Sequence, residues 1–558
     1  MSPAGSVTAT GARVILDELA RGGVTACFTN PGTSEMHFVT ALDEVPRIRP
    51  VLTLFEGVAT GAADGFARIS GRPAATLLHL GCGLGNGLAN LHNARRARVP
   101  MVNVVGDHAT DHVRFDAPLQ SDIAATAATV SGWVRHAGAD SVAEDASAAV
   151  RAAMYAGGQV ATLIVPADVA WSPARHTPGS TEAAYTAPAE HVQDVEEMVT
   201  ALREAGRQVG LIVGGTALGG EALSTVARIA ATSGARIFAE VFPTRIERGA
   251  GRPYLERLAY VPELARTQLA GLDRLILLDT RRPVAFFGYP GKSGDLVPPG
   301  CTIHEVGRSQ TRAVIDEISS RLRLADRDIP SVGHPALPRP PRGALTAHSV
   351  CAAVATTLPP GAIISDESNT SGLALPAMTA SAAPHDVLTL TGGAIGQGLP
   401  VAVGAAVAAP DRPVLALQSD GSAMYTIQSL WTMAREALDV TVVLLNNSAY
   451  SILDVELQRV RAGKPGDVAR SQLRLDQPAL DFVDLSRGMG VPATRPENAR
   501  DLVLDLTRAF AEPGPHLIDA RIPATYTGMT LKALPYALGA LDALPAGMAR
   551  RLARRLTP

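Results

Sequence analysis

Cysteine is scarce in this chain: Cys27, Cys82, Cys301 and Cys351 lie far apart, and no two of them stand in a C-x-x-C spacing. Neither a zinc site nor a disulfide framework is indicated, and a reducing cytoplasm is the expected setting. Charge of one sign is also missing. The 50 basic and 53 acidic residues leave a net charge of −3, so no long-range field selects nucleic acid or an anionic membrane, and small molecules are the expected ligands. No run of 18 apolar residues occurs, and the first residues, MSPAGSVTATGARVILDEL, have no basic stretch leading into an apolar one. The protein is expected to be neither secreted nor membrane-spanning. Aromatic residues make up only 4% of the chain, but 46% of its 558 residues are hydrophobic. That is enough for about three α/β domains by the usual length of a domain.

Short apolar runs alternate with Ala- and Leu-rich stretches of helical spacing, the pattern of repeated βαβ units on parallel sheets. Residues 172–190 and 328–343 are rich in Pro, Gly, Ser and Thr and read as linkers. The expected domains are 1–175, 190–328 and 344–525, followed by a basic tail, 526–558. The first and third domains echo one another. "VLTLFEGVATGAADGFARISGRPAATLLHLGCG" from Val51 and "VLTLTGGAIGQGLPVAVGAAVAAPDRPVLALQSDG" from Val387 share strand, glycine-rich turn, small-residue helix, Arg-Pro turn and second strand. Two diverged copies of one α/β domain are expected, against the alternative of chance similarity between Ala-rich helices.

Within "QSDGSAMYTIQSLWTMAREALDVTVVLLNN" (418–447), Pro413–Gln418 and Val440–Leu445 read as buried strands with a helix over Tyr425–Ala437 between them. Asp420 and Asn447 then sit at the carboxyl ends of parallel strands, the edge where open α/β sheets bind ligands. Carboxylate and amide oxygens are hard donors suited to Mg2+ together with phosphate. Gly421 permits close backbone approach, Ser422 offers a hydroxyl, and a helix beginning near Tyr450 turns its amides toward an anion. Turn formation alone is the bland explanation of Asp-Gly and Asn-Asn. The spacing of Asp420-Gly421-Ser422 and Asn446-Asn447, however, resembles the signature of thiamine diphosphate-dependent enzymes, with Ser419 where a Gly is usual. The resemblance implies three doubly wound α/β domains that bind pyrimidine, form the centre and bind diphosphate. It also implies Mg2+ held by Asp420, the Asn447 side chain and the Ala449 carbonyl, with Gly421, Ser422, Tyr450 and Ile452 in the cofactor-binding set.

The resemblance extends along the chain. Glu56 matches the acid that hydrogen-bonds the cofactor's pyrimidine and activates it, and Phe55 and Val58 provide the apolar surroundings this requires. Taken alone, Glu56 reads equally as a helix-start acid. In "GGAIGQGLP" (392–400), Ile395 matches the bulky residue that bends the cofactor, and the Gly393 carbonyl matches an acceptor for its amino group; otherwise Ile395 is core. "DESNTSG" (366–372) matches a diphosphate-binding stretch through Asn369 and Thr370, which without the resemblance is a helix cap.

"NPGTSEMHF" (30–38) and "LLHLGCGLGNGLANLHNA" (77–94) resemble both acetolactate synthase large subunits and benzoylformate decarboxylase. Thr33 and His79 match a serine and a histidine that line the decarboxylase substrate site, which implies proton transfer by His79; the bland reading is a satisfied structural histidine. The decarboxylase's second histidine is replaced near Phe287 and Gly288. A synthase Phe-Gln pair aligns with Pro118 and Leu119, with Gln120 one place late. A synthase tryptophan aligns with Glu456, one helical turn after Ile452. Leu119, Gln120 and Glu456 are therefore candidate pocket residues, with solvent exposure the alternative for Glu456. The middle segment's Gly214-Gly215 turn is too weak a pattern for a dinucleotide, and "FAEVFPTRIERGAGRP" resembles flavin-free relatives, so FAD is not expected. Two outcomes fit, acetolactate-type ligation of a decarboxylated 2-oxo acid to a second carbonyl or simple decarboxylation. A non-catalytic thiamine diphosphate-binding partner of a synthase is the third reading, against which Glu56 stands. The family implies a homodimer or homotetramer with sites between subunits, and a small regulatory subunit is not indicated. The tail "GMARRLARRLTP" is basic and amphipathic, simplest as a solvated or interface-packing helix, with membrane or nucleic-acid contact the alternative.

Overall fold

The Val-, Leu- and Ala-rich runs become parallel strands in the computed structural model, which describes residues 9–174, 194–324, 335–460, 465–523, 536–541, 544, 548 and 549. The first linker stretch lies largely outside the described residues, as do 328–334 of the second and most of the basic tail. Three sheets carry the architecture, with six, five and seven strands. The first runs, from edge to edge, Arg49–Leu52, Ala26–Asn30, Ala74–Leu78, Met101–Asp107, Val160–Pro166 and Trp133–His136, all parallel. The third repeats that order with His385–Thr389, Ile363–Glu367, Val414–Ser419, Val440–Asn446, His516–Arg521 and Ala493–Thr494. Numbered along the chain, both are 2-1-3-4-6-5. The two stretches that echo each other in sequence thus build one topology twice. The five-stranded middle sheet is also parallel.

The middle segment also contributes to the third sheet, which its sequence does not foretell. Ile246–Arg248 pairs antiparallel with His385–Thr389 and supplies that sheet's edge strand.

The small-residue helices explain how the halves meet. Helix Glu56–Ser70 packs along helix Gly398–Ala408, backbone against backbone. A methyl group added at Gly404 would lie 1.8 Å from the Ala62 carbonyl oxygen, and one at Gly65 would lie 2.2 Å from that of Val401. Beneath this contact Arg68, its side chain wholly buried, forms a two-pronged ion pair with Asp64 at 2.7 and 2.6 Å. It also donates to the carbonyls of Thr389 and Thr244, so one guanidinium ties all three segments together. Gln397 donates to the same Asp64 carboxylate at 2.6 Å. Arg68→Ala is expected to lower stability by about 3–5 kcal/mol, because Asp64 would remain as a buried charge without its counter-ion. Chemical denaturation would measure it, and a loss below about 1 kcal/mol would mean that Asp64 finds water or another partner.

The helix expected over Tyr425–Ala437 is shorter, Ser429–Arg435, and a separate helical turn, Asp420–Ala423, precedes it. The break has a tertiary cause: Thr426 donates its hydroxyl to the Gly396 carbonyl at 2.9 Å, which draws the chain toward the glycine-rich loop.

Candidate functional site

In both 2-1-3-4-6-5 sheets the crossovers reverse direction between strands 1 and 3, and the crevice at their carboxyl ends is where such sheets take ligands. In the third sheet those ends carry Asn369 and Asp420. Asn369 donates its amide to the hydroxyls of Ser419 and Ser422, at 3.2 and 3.0 Å. Asp420 is 2% exposed and accepts the amides of Gly421 at 2.9 Å and Ser448 at 2.6 Å. Burial pushes its carboxyl up, opposed by those amides.

The two asparagines after strand Val440–Asn446 divide their work. Asn446 is buried and donates to Asp519, so it fastens the strand end. Asn447 is half-buried and accepts the Ala449 amide at 3.0 Å, which curls the chain past Asp420. Tyr450 follows and covers Gly421, where an added methyl would lie 2.4 Å from its ring. Helix Ser451–Arg459 begins there, and the buried Ser451 hydroxyl at its start has no partner among the described residues. Thr370 lies beside Asn369 in the short 3-10 turn Asn369–Gly372, which replaces the expected cap. Asp420, Gly421, Ser422, Asn369, Thr370, Asn447, Ala449 and Tyr450 thus gather on one edge. A buried carboxylate with no ion-pair partner among the described residues, set among amide and carbonyl oxygens, is a donor set that fits a hard divalent cation.

The loop carrying Gly393 and Ile395 joins strand His385–Thr389 to helix Gly398–Ala408. Gly393 is exposed with φ +78, a conformation natural to glycine. Ile395 is half-buried on this loop instead of being a core strand-end residue. Glu367 holds the loop from below and was not singled out from sequence. Its buried carboxylate accepts the amides of Gly396, Gln397 and Gly398 and the side chain of Gln418. From the other side Asn93 donates to the Ala394 carbonyl at 2.8 Å.

In the first sheet Glu56 opens its helix, 7% exposed, and accepts a hydrogen bond from Asn86 on Oε2 at 3.0 Å. Its Oε1 faces Gly83, where an added methyl would come within 3.1 Å. His79, just after strand Ala74–Leu78, has its Cβ 3.5 Å from the same added methyl and bonds Glu35 through Nδ1 at 2.8 Å. Thr33 is exposed in the turn that carries Glu35. Leu119 is exposed and Gln120 half-buried in a loop whose next residue, Ser121, rests its hydroxyl on Gly81 at the start of the helix after His79. Glu35 was missed because only the fold brings it beside His79.

Ile452 and Glu456 lie on helix Ser451–Arg459, half-buried. Glu456 is neither solvated nor a free pocket carboxylate: Arg459 pairs with it at 2.9 Å, and also with Glu263 of the middle segment at 2.9 Å. The same arginine donates to the Tyr289 hydroxyl at 2.8 Å. Nearby, Phe286 contacts Tyr260 with ring centres 5.0 Å apart and Phe242 at 5.3 Å, and it stands 3.5 Å from where a methyl would sit on Gly393. Burial and the Glu456 charge push the Tyr260 hydroxyl up to about 12. The middle sheet has its own pocket, about 780 Å³ including the mouth, lined by Arg96, Arg98, Arg281, Arg308 and Glu240. Burial pushes the Glu240 carboxyl up to about 7.

Residues 9–128 match the thiamine pyrophosphate enzyme N-terminal TPP binding domain, and residues 367–520 match its C-terminal TPP binding domain. The chain is 56% identical, over 522 residues, to a Mycobacterium tuberculosis protein provisionally named acetolactate synthase large subunit IlvX, covering 92% of this chain and 99% of that protein. It is 29% identical to the benzoylformate decarboxylase of Pseudomonas aeruginosa, over 90% of this chain and 96% of that one. Its fold is similar to that of the 4-hydroxybenzoylformate decarboxylase of Rhodococcus jostii RHA1, with a TM-score of 0.79 at 24% identity, covering 92% of this chain and 99% of that one. Among the described residues no helix is long and apolar enough to cross a membrane. The repeated sheet topology, the oxygen-rich edge around Asp420 and these likenesses agree, and the chain belongs to the thiamine diphosphate-dependent enzymes, among relatives named as acetolactate synthases and 2-oxo acid decarboxylases.

Proposed function

We propose that this enzyme depends on thiamine diphosphate and Mg2+, decarboxylates a pyruvate-like 2-oxo acid, and joins what remains to a second carbonyl compound, as acetolactate synthases do. The observation that carries the cofactor reading is Asp420, a buried carboxylate with no cationic side chain against it among the described residues. Asp420, the Asn447 side chain and the Ala449 carbonyl would hold Mg2+, and Asn369, Thr370, Gly421 and Ser422 the diphosphate. Gly393, Ile395, Tyr450 and Ile452 would hold the remainder, within domains at 1–175, 190–328 and 344–525. When bound, the cofactor supplies the sink for the electron pair left as CO₂ departs. Glu56 would hold and move a proton at Oε1, sheltered from water by burial, at the end of the site that would take the pyrimidine. Thr33 and His79 line the substrate side, and His79 holds or delivers a proton at Nε2. Leu119, Gln120 and Glu456 complete the surroundings.

Two observations weigh on the final step. Phe286, with no acid or base of its own, stands nearest Gly393, which favours capture by a second carbonyl. The His79–Glu35 pair favours the second reading, protonation and simple decarboxylation as in benzoylformate decarboxylase. The hydrogen bonds of Glu56 and Asp420 stay within their own halves, while Leu54, Leu373 and Tyr425 nearby are 50%, 43% and 53% exposed. This supports a homodimer or homotetramer that completes the site between subunits, to be weighed by light scattering. A cytoplasmic, flavin-free enzyme, for which a small regulatory subunit is not indicated, completes the proposal.

The test is turnover of pyruvate with thiamine diphosphate and Mg2+, following CO₂, acetolactate and acetaldehyde together. Acetolactate as the main product is expected. Acetaldehyde alone would establish the second reading, and no CO₂ from pyruvate or larger 2-oxo acids, with cofactor bound, would overturn both. The same preparation should be colourless; a yellow protein would refute the flavin-free expectation.

A further inference from the structure

Strands Ala26–Asn30 and Ala74–Leu78 are neighbours in the first sheet, and the residues that follow them bring a carboxylate and an imidazole together. Glu35 is 0% exposed. Its Oε2 lies 2.8 Å from His79 Nδ1 and accepts the Gly32 amide, also at 2.8 Å. Two glycines make this arrangement sterically possible. A methyl at Gly32 would lie 2.3 Å from the imidazole Cγ, and one at Gly106 would lie 1.7 Å from Glu35 Oε1. That Oε1 is buried and has no partner among the described residues. A carboxylate this enclosed is costly unless it answers a charge.

We infer that Glu35 is a positioning residue that fixes the His79 ring with its proton on Nδ1 and so presents Nε2 to the reacting molecule. This rests on the reading that His79 faces substrate. With Nδ1–H held by Oε2, the neutral ring keeps an unprotonated Nε2 that accepts one proton, and Glu35 balances the imidazolium that results. The same proton returns from Nε2 in the later step, so the pair ends as it began. Burial pushes the Glu35 carboxyl up, while the Gly32 amide and His79 draw it back. The other titratable groups around the pair are Glu56 across Gly83, Cys82, whose thiol bonds the His79 carbonyl, and Asp107 and His108 following Gly106.

Glu35→Gln keeps the shape, removes the charge and can set an NH₂ as well as an oxygen against Nδ1, so it no longer dictates which ring nitrogen carries the proton. In protein loaded with thiamine diphosphate and Mg2+ and labelled with ¹⁵N-histidine, the His79 signal is identified by its loss in His79→Gln. The expected result is an Nδ1–H ring in the wild type that loses this preference in Glu35→Gln. It should be accompanied by a fall in kcat of about 10–100-fold, part of what an acid–base group supplies, with KM little changed and no further loss when Glu35→Gln is added to His79→Gln. A variant that keeps the Nδ1–H ring, or that loses kcat equally without His79, would overturn the inference. The ring signal is read without substrate, so a wrong substrate assignment leaves this test intact. If Glu35→Gln fails to fold, Glu35→Asp is read instead: retention of the Nδ1–H ring supports the inference, and the other tautomer refutes it.

Discussion

Glu56→Gln is expected to lower turnover by about 10²–10⁴-fold, the span supplied by a positioned acid–base group, while the cofactor still binds. The geometry explains why so small a change should matter. Asn86 already occupies Oε2 and would hold the oxygen of the new amide, turning its NH₂ toward the position that Oε1 now fills beside Gly83. An acceptor that can take a proton becomes a donor that cannot. Nothing in the packing of helix Glu56–Ser70 depends on the charge, so the fold should survive. Calorimetry of cofactor binding beside CO₂ release would separate the two effects, and undiminished turnover would remove Glu56 from its role.

Asp420→Ala should act on the other half of the site and in the opposite way. Outer-shell changes at metal sites already cost about 10–100-fold in affinity, so loss of a direct carboxylate should cost more and abolish saturable binding of Mg2+ and cofactor together. Wild-type protein with ligand at 100 times its dissociation constant should gain about 2.7 kcal/mol of stability, and the variant should gain none. Without ligand the order should reverse or level, because the variant no longer buries a carboxylate that lacks a counter-charge. Melting of both proteins with and without Mg2+ and cofactor would measure this. A variant stabilised as strongly as wild type would mean that the cation sits elsewhere.

The residues legible in the sequence are those whose meaning is local. Asp420 follows a strand and is followed by glycine, and Asn447 ends the next strand, so pattern and spacing alone carry them to one sheet edge. The echo between Val51 and Val387 was legible because small residues recur where two helices must touch backbone to backbone. Glu35 was not, since nothing within 44 positions marks it as a partner for His79. Glu456 was half legible: its partner Arg459 stands one turn along the same helix, but Glu263 and Tyr289, which fix that arginine, arrive from the middle segment. The late start of the helix, at Ser429 instead of Tyr425, was not legible for the same reason, since the Thr426 hydroxyl answers to distant Gly396.

The short edge strand Ile246–Arg248 bears on how the molecule comes into being. It leaves the ribosome well before its partner His385–Thr389, with which it pairs in the folded chain. In the folded chain the third sheet is closed along that edge, because Ile246–Arg248, made earlier in the chain, pairs there with His385–Thr389. Open strand edges invite pairing with other chains, and domains fold largely in order of synthesis. A segment that brings none of the residues assigned here to metal or diphosphate thereby serves as a built-in guard for the half of the molecule that does.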